Sequence, residues 1–137
     1  MIKHRAIFLV DTSAWVEAIR SNGDKVLADR IRGLNSRGQS AWCPMVRLEL
    51  WNGARGQPEA DFLKFLETSI IDLPINEEVW RLANQLARLA RKAGKTFPAS
   101  DLLIAACARF HGAEIVHRDR HFEQLKTLEP ARILTKN

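Results

Sequence analysis

Asp11, Glu49, Asp101 and Asp119 are the acidic residues whose surroundings make solvated surface the hardest assignment to defend. Asp11 closes the apolar run Ala6-Ile7-Phe8-Leu9-Val10 and is followed at once by Thr12-Ser13-Ala14-Trp15, so a buried strand turns into a helix at a carboxylate. Asp119 follows a second strand candidate, Glu114-Ile115-Val116. Asp101 falls in the first turn of a helix opened by Pro98-Ala99-Ser100, and Glu49 lies between apolar neighbours in Val46-Arg47-Leu48-Glu49-Leu50-Trp51. In an open parallel sheet, ligands bind at the carboxyl ends of the strands. Carboxylates gathered there repel one another unless they share a cation. A divalent ion held by oxygen ligands can activate water and offset charge developing on phosphorus. The chemistry that these residue types could do together is metal-assisted cleavage of a phosphodiester bond.

Each residue also has a plainer role. Asp11 and Asp119 could simply cap a turn or an adjacent helix. Asp101 would be favoured in a first turn by the helix dipole alone. Glu49 could face solvent between two buried neighbours.

The elements that must position these groups alternate from end to end. After the first strand, Thr12 or Ser13 can cap a helix reaching about Arg20, and Ser21-Asn22-Gly23 breaks it. Asp24 opens a second helix with Leu27, Ile31 and Leu34 at helical spacing. Ala41-Trp42-Cys43 is a short strand candidate, and Pro44 suits entry to a helix carrying Val46 to Gly53. A further helix runs from about Pro58 to Glu67, and Ser69 to Leu73 reads as a third strand. Asn76 caps the longest helix, where Glu77 and Glu78 meet the positive end of the dipole. Val79, Leu82, Ala83, Leu86, Leu89 and Ala90 form its apolar stripe, and Gly94 stops it. A helix over Leu102 to His111 ends at Gly112, the strand Glu114–Val116 follows, and Ala131 to Leu134 reads as a short fifth strand. Such alternation predicts a parallel sheet with helices on both faces.

With 137 residues, 46% of them hydrophobic, and no repeat or linker, the expectation is a single domain over residues 1–137. Lys+Arg 21 against Asp+Glu 16 leaves a formal charge of +5, which suits a polyanionic substrate drawn to a locally acidic pocket. Cys43 and Cys107 sit among apolar and small residues and read as buried reduced thiols, which points to the cytoplasm. No apolar run reaches the roughly 20 residues that would span a bilayer, and the start is too short for a signal-peptide core.

Asp11-Thr12-Ser13, Glu49 on an early helix, Pro98-Ala99-Ser100-Asp101-Leu102-Leu103-Ile104-Ala105-Ala106 and Arg118-Asp119-Arg120-His121-Phe122 resemble, in order and spacing, the motifs of PIN-domain nucleases. Within that superfamily the chain is similar to VapC-type toxin ribonucleases, and the resemblance covers nearly its whole length. It implies a three-layer α/β/α sandwich around a mainly parallel sheet. It also implies Mg²⁺-dependent endoribonuclease activity with Mn²⁺ as a substitute, a homodimer, and neutralisation by a small VapB-type antitoxin. Carried over by position, Asp11 and Asp101 would be the principal metal ligands. Glu49 would be an additional direct or water-mediated ligand, and Asp119 would complete the pocket and orient the attacking water. His117 departs from the pattern, standing where many relatives carry a small hydroxyl residue; its imidazole could still donate to a water or a phosphate.

Thr12, Ser13, Arg47, His117, Arg118 and Arg120 are the candidate substrate-binding residues, with Arg55 a further possible phosphate contact. His117 and His121 have the four-residue spacing of a helical zinc pair, but a strand ending at His117 argues against that geometry. Gly53-Ala54-Arg55-Gly56 lacks the lysine and glycine spacing of a phosphate-binding loop. Most of the four tryptophans are expected in the core. Trp51 with Phe62 and Phe65 could instead line a groove for an antitoxin peptide.

Other readings fit less well. A receiver-like Mg²⁺-binding phosphoacceptor could use Asp72 in Ile71-Asp72-Leu73-Pro74, but it needs adjacent acids after the first strand, where Thr12-Ser13 stand. A haloacid-dehalogenase-like phosphatase would want an aspartate in place of Ser13. A catalytically silent RNA-binding module, or a PIN-domain RNA-processing nuclease outside toxin–antitoxin systems, remains a distinct alternative for assay.

Overall fold

The structure, a computed structural model, describes residues 5–130. Its elements run β1 (Phe8–Val10), α1 (Thr12–Ile19), α2 (Lys25–Ser36), β2 (Ser40–Trp42), α3 (Pro44–Asn52), α4 (Gly56–Ser69), β3 (Ile71–Asp72), α5 (Glu77–Lys92), α6 (Ala99–His111), β4 (Glu114–Val116) and α7 (His121–Leu125). The strands form one parallel sheet in the order β3-β2-β1-β4. Leu9 lies opposite Ala41 on one side and Ile115 on the other, and Val10 lies opposite Val116.

That order has a functional consequence. From β1 the chain steps through β2 to β3 on one side, and then returns to place β4 on the other side of β1. The point where strand order reverses therefore lies between β1 and β4, and their carboxyl ends open there together. The Asp11 backbone N–H donates to the Val116 carbonyl at 2.9 Å, so the first site residue is fastened to the last strand.

Short strands suffice because both faces of the sheet are covered, completing the α/β/α layers. All of Ser40, Ala41 and Trp42 are buried, as are Leu9 and Val10. A parallel sheet buried on both faces favours such continuous apolar runs over alternation. On α6 the run Leu103-Ile104-Ala105-Ala106-Cys107-Ala108 is buried throughout. Its small residues let this helix sit deep in the molecule against α5 and α3. The amphipathic α5 places Val79, Ala83, Leu86 and Ala90 inward, as its stripe predicts.

Several sequence expectations are adjusted. Strand three shortens to Ile71–Asp72, because α4 continues through Ser69. Helix α6 begins at Ala99, earlier than the expected Leu102, and α7 was not anticipated. The proposed strand Ala131 to Leu134 lies outside the described residues. Among the tryptophans, Trp15 and Trp42 are fully buried, whereas Trp51 is partly buried and Trp80 is 50% exposed. Trp80 follows the buried Val79 on α5, and a one-residue step moves a side chain about 100° around a helix. Cys43 and Cys107 are both free and buried. The neighbouring Cys43 thiol, and then burial, hold the Cys107 thiol well above the ordinary range, so it stays protonated. No helix among the described residues is long and apolar enough to cross a membrane.

Candidate metal centre

Asp11 is the N-cap of α1. Its Oδ2 accepts the Ser13 backbone N–H at 3.0 Å and the Ser13 hydroxyl at 2.6 Å. The plainer capping role is thus real, and it locks the carboxylate at the strand end without removing it from the site. Ser13 Oγ also accepts the backbone N–H of Arg118 at 2.9 Å, joining the turn after β1 to the loop after β4. Thr12 Oγ1 donates to Glu49 Oε1 at 2.6 Å, which turns the half-buried Glu49 towards β1. Its neighbour Leu48 is 62% exposed, so at this pair alone burial runs against hydropathy, while Val46 and Leu50 are buried as expected.

Asp101 sits in the first turn of α6, whose N-cap, Pro98, supplies no capping side chain. The helix N-terminus there carries a partial positive charge that favours the carboxylate. Asp119 accepts the His121 backbone N–H on Oδ1 at 2.9 Å, which ties the carboxylate to the turn that leads into α7. His121 Nδ1 then stands 2.8 Å from Asp101 Oδ2 and 3.2 Å from Asp119 Oδ1. Asp101, Asp119 and His121 each offer one ligand atom, and these atoms lie within 4.8 Å of one another. Asp11 and Glu49 stand outside this tight group, but close enough to act on it electrostatically.

That influence is visible in the carboxyl groups. Burial pushes the Asp101 carboxyl above the ordinary range, the His121 hydrogen bond pulls it down, and repulsion from Asp119 and Asp11 raises it further. Burial also raises the Glu49 carboxyl; the Thr12 hydrogen bond opposes this, while Asp11 and Asp101 add to it. Crowded carboxylates that resist ionisation are what a cation would relieve. The donor set, rich in oxygen with one imidazole nitrogen, fits a divalent ion.

The remaining candidates divide. Thr12 and Ser13 hold acids in place. The Arg118 guanidinium pairs with Asp24 at 2.7 Å, with Glu17 at 3.9 Å, and Arg47 pairs with Asp72. Arg55 pairs with Glu59 at 3.7 Å, whereas Arg120 is exposed between Asp119 and His121. His117 Nδ1 accepts the Asp119 backbone N–H at 3.2 Å, which leaves Nε2 to donate to Glu123 at 2.9 Å. Both nitrogens are therefore engaged in shaping the loop that presents Asp119. The two histidines do not form a pair, in keeping with the end of β4 before His117. His121, weighed from the sequence only as half of a zinc pair with His117 and set aside, is the site residue missing from the expected set. Its signal was position, two residues beyond Asp119, rather than spacing from His117.

The family model described as PIN domain matches residues 8–128, so the chain belongs to the PIN-domain family. It is 37% identical over 121 residues to Ribonuclease VapC11 of Mycobacterium tuberculosis, covering 85% of this chain and 90% of that one. Ribonuclease VapC18 of the same species is 31% identical over 126 residues, covering 89% of each chain. Among solved structures, VapBC2 from Rickettsia felis bound to a promoter DNA fragment superposes with a TM-score of 0.73 at 20% identity, over 86% of this chain and 92% of that one. That likeness supports the fold.

Proposed function

We propose that this protein is a metal-dependent endoribonuclease, using Mg²⁺ or Mn²⁺, and that it is the toxin of a VapBC-type toxin–antitoxin pair. The observation that carries the proposal is the convergence of Asp101, Asp119 and His121 at the strand-order reversal of a PIN-domain chain. Ribonuclease activity is supported by the relatives named above.

Bound divalent metal would supply electrostatic stabilisation of the phosphorane-like charge and a more acidic water. The chain's own residues do the positioning. Asp11, fixed by Ser13, and Glu49, fixed by Thr12, would add negative charge to the pocket of Asp101 and Asp119. Asp119, its loop shaped by His117, lies where it could accept a proton from an attacking water. The reaction is hydrolysis: water adds to phosphorus, the P–O bond to one ribose oxygen breaks, and that oxygen takes up a proton. Arg120, exposed beside Asp119, is suited to a flanking phosphate, and the chain's net positive charge favours RNA approach.

A small VapB-type antitoxin is the expected partner. Leu48 on α3 and Phe65 on α4, 62% and 59% exposed, stand with the partly buried Trp51 and Phe62 as apolar anchors for it. Phe62 and Phe65 lie 6.5 Å apart between ring centroids, and Trp51 Nε1 donates to Glu67 at 3.0 Å. A homodimer would place two such sites in one assembly.

Induction of the wild-type chain and of Asp11→Asn in a bacterial host tests the toxin role, alongside recovery of tagged protein from its native host. Growth arrest by wild type alone, and co-purification of a small protein, is the expected result. Equal growth with confirmed expression, and no small partner, would leave an RNA-processing nuclease as the better description.

A further inference from the structure

Four carboxylates alone would make a hard, all-oxygen site, but this chain places an imidazole among them. We propose that His121 is a direct nitrogen ligand of the catalytic cation and that it biases the site towards Mn²⁺ over Mg²⁺. The inference rests on the nuclease reading and concerns the composition of the same site.

The placement of His121 is over-determined. It opens α7, and its backbone N–H is held by Asp119 Oδ1 at 2.9 Å. Its ring stands edge-on to Phe97, with centroids 5.6 Å apart and planes at 82°. Phe97 is itself buried, so the imidazole rests against a fixed wall. The result is that Nδ1 lies 2.8 Å from an Asp101 oxygen and 3.2 Å from an Asp119 oxygen. Neighbouring ligands around an octahedral cation with bonds of about 2.1 Å stand about 3.0 Å apart. The imidazole nitrogen and the two carboxylate oxygens are already at ligand spacing.

The second histidine of the loop provides an internal contrast. His117 spends one nitrogen on the Asp119 backbone and the other on Glu123, and so has no lone pair to offer. The loop after β4 thus uses one histidine to shape itself and aims the other at the acids. Mg²⁺ is a hard ion that prefers oxygen, whereas imidazole raises affinity for transition cations. A nitrogen donor therefore helps Mn²⁺ more than Mg²⁺.

Pulsed electron paramagnetic resonance of the Mn²⁺-loaded full chain reads nitrogen coordination without reference to activity. Wild type and His117→Gln should show modulation from a directly bound ¹⁴N, and His121→Gln and His121→Phe should lose it; the Phe variant keeps an aromatic ring against Phe97. By calorimetry, both His121 variants should bind Mn²⁺ about tenfold more weakly, with a much smaller change for Mg²⁺. Mn²⁺ bound to wild type without nitrogen modulation, or an equal loss of affinity for both ions, would overturn the ligand assignment and leave the acidic metal site standing. Failure of wild type to bind either ion would overturn both.

Discussion

Ser13 Oγ accepts the backbone N–H of Arg118, 105 positions further along the chain, at 2.9 Å, while its own proton goes to Asp11. One hydroxyl thus couples the turn after β1 to the loop after β4 and holds the Asp11 carboxylate at the same time. Ser13→Ala should lower stability by about 1–2 kcal/mol, because an N–H and a carboxylate lose a partner together. Cleavage should fall by about tenfold, through Asp11 being less well held. Denaturant titration and kcat/KM measured on the same preparation check this; wild-type values for both would show that the bridge has no part in the site.

Asp11 serves two purposes, which substitution can separate. Asn is as good an N-cap as Asp, whereas Ala is worse by about 1 kcal/mol. Asp11→Asn should therefore keep the melting temperature near that of wild type, and Asp11→Ala should lower it, with cleavage nearly abolished in both. Activity retained in Asp11→Asn would confine the residue to its capping role.

Thr12→Val removes the hydroxyl that lowers the Glu49 carboxyl, so the carboxyl should rise further. The acidic limb of the pH–rate profile, measured at limiting metal, should move to higher pH than in wild type. An unmoved limb would mean that Glu49 does not need to be ionised for metal to bind.

The metal-free protein should carry the mark of crowded acids in its pH dependence. Asp101 and Glu49 have carboxyls raised in the folded chain, so they hold protons more tightly when folded than when unfolded. Their contribution to stability is fully present below the unfolded value of about 4 and is lost as pH rises through the raised folded values. Asp101→Asn escapes that loss. In EDTA its melting temperature should gain on wild type as pH is raised from about 4 to 7, and added Mn²⁺ should restore the wild type above it. A gap that narrows with rising pH would reverse the sign assigned to Asp101.

How much of this was legible from the chain depends on the range of the interaction concerned. Strand-to-helix corners are local, so Asp11 and Asp119 could be placed from their flanking residues, as could the parallel sheet from the alternation of elements. The dipole-favoured position of Asp101 was equally local. What could not be read was contact between distant segments. Nothing near Ser13 announces Arg118, nothing near His121 announces Asp101, and the exposure of Leu48 with the inward turn of Glu49 is set by a hydrogen bond from Thr12, 37 positions away. Helix α7 was missed because its five residues are too few to show helical periodicity.

Single-turnover cleavage of an RNA substrate asks whether these acids form a metal-dependent RNA-cutting site. Wild type and Asp101→Asn would be compared with Mn²⁺, with Mg²⁺ and with EDTA, after matched circular dichroism spectra have shown both proteins folded. Wild type should cleave with either ion, stop in EDTA and recover on adding metal back, and Asp101→Asn should lose at least about a thousandfold. Cleavage by wild type that persists undiminished in EDTA, or an Asp101→Asn rate equal to wild type, would contradict such a site.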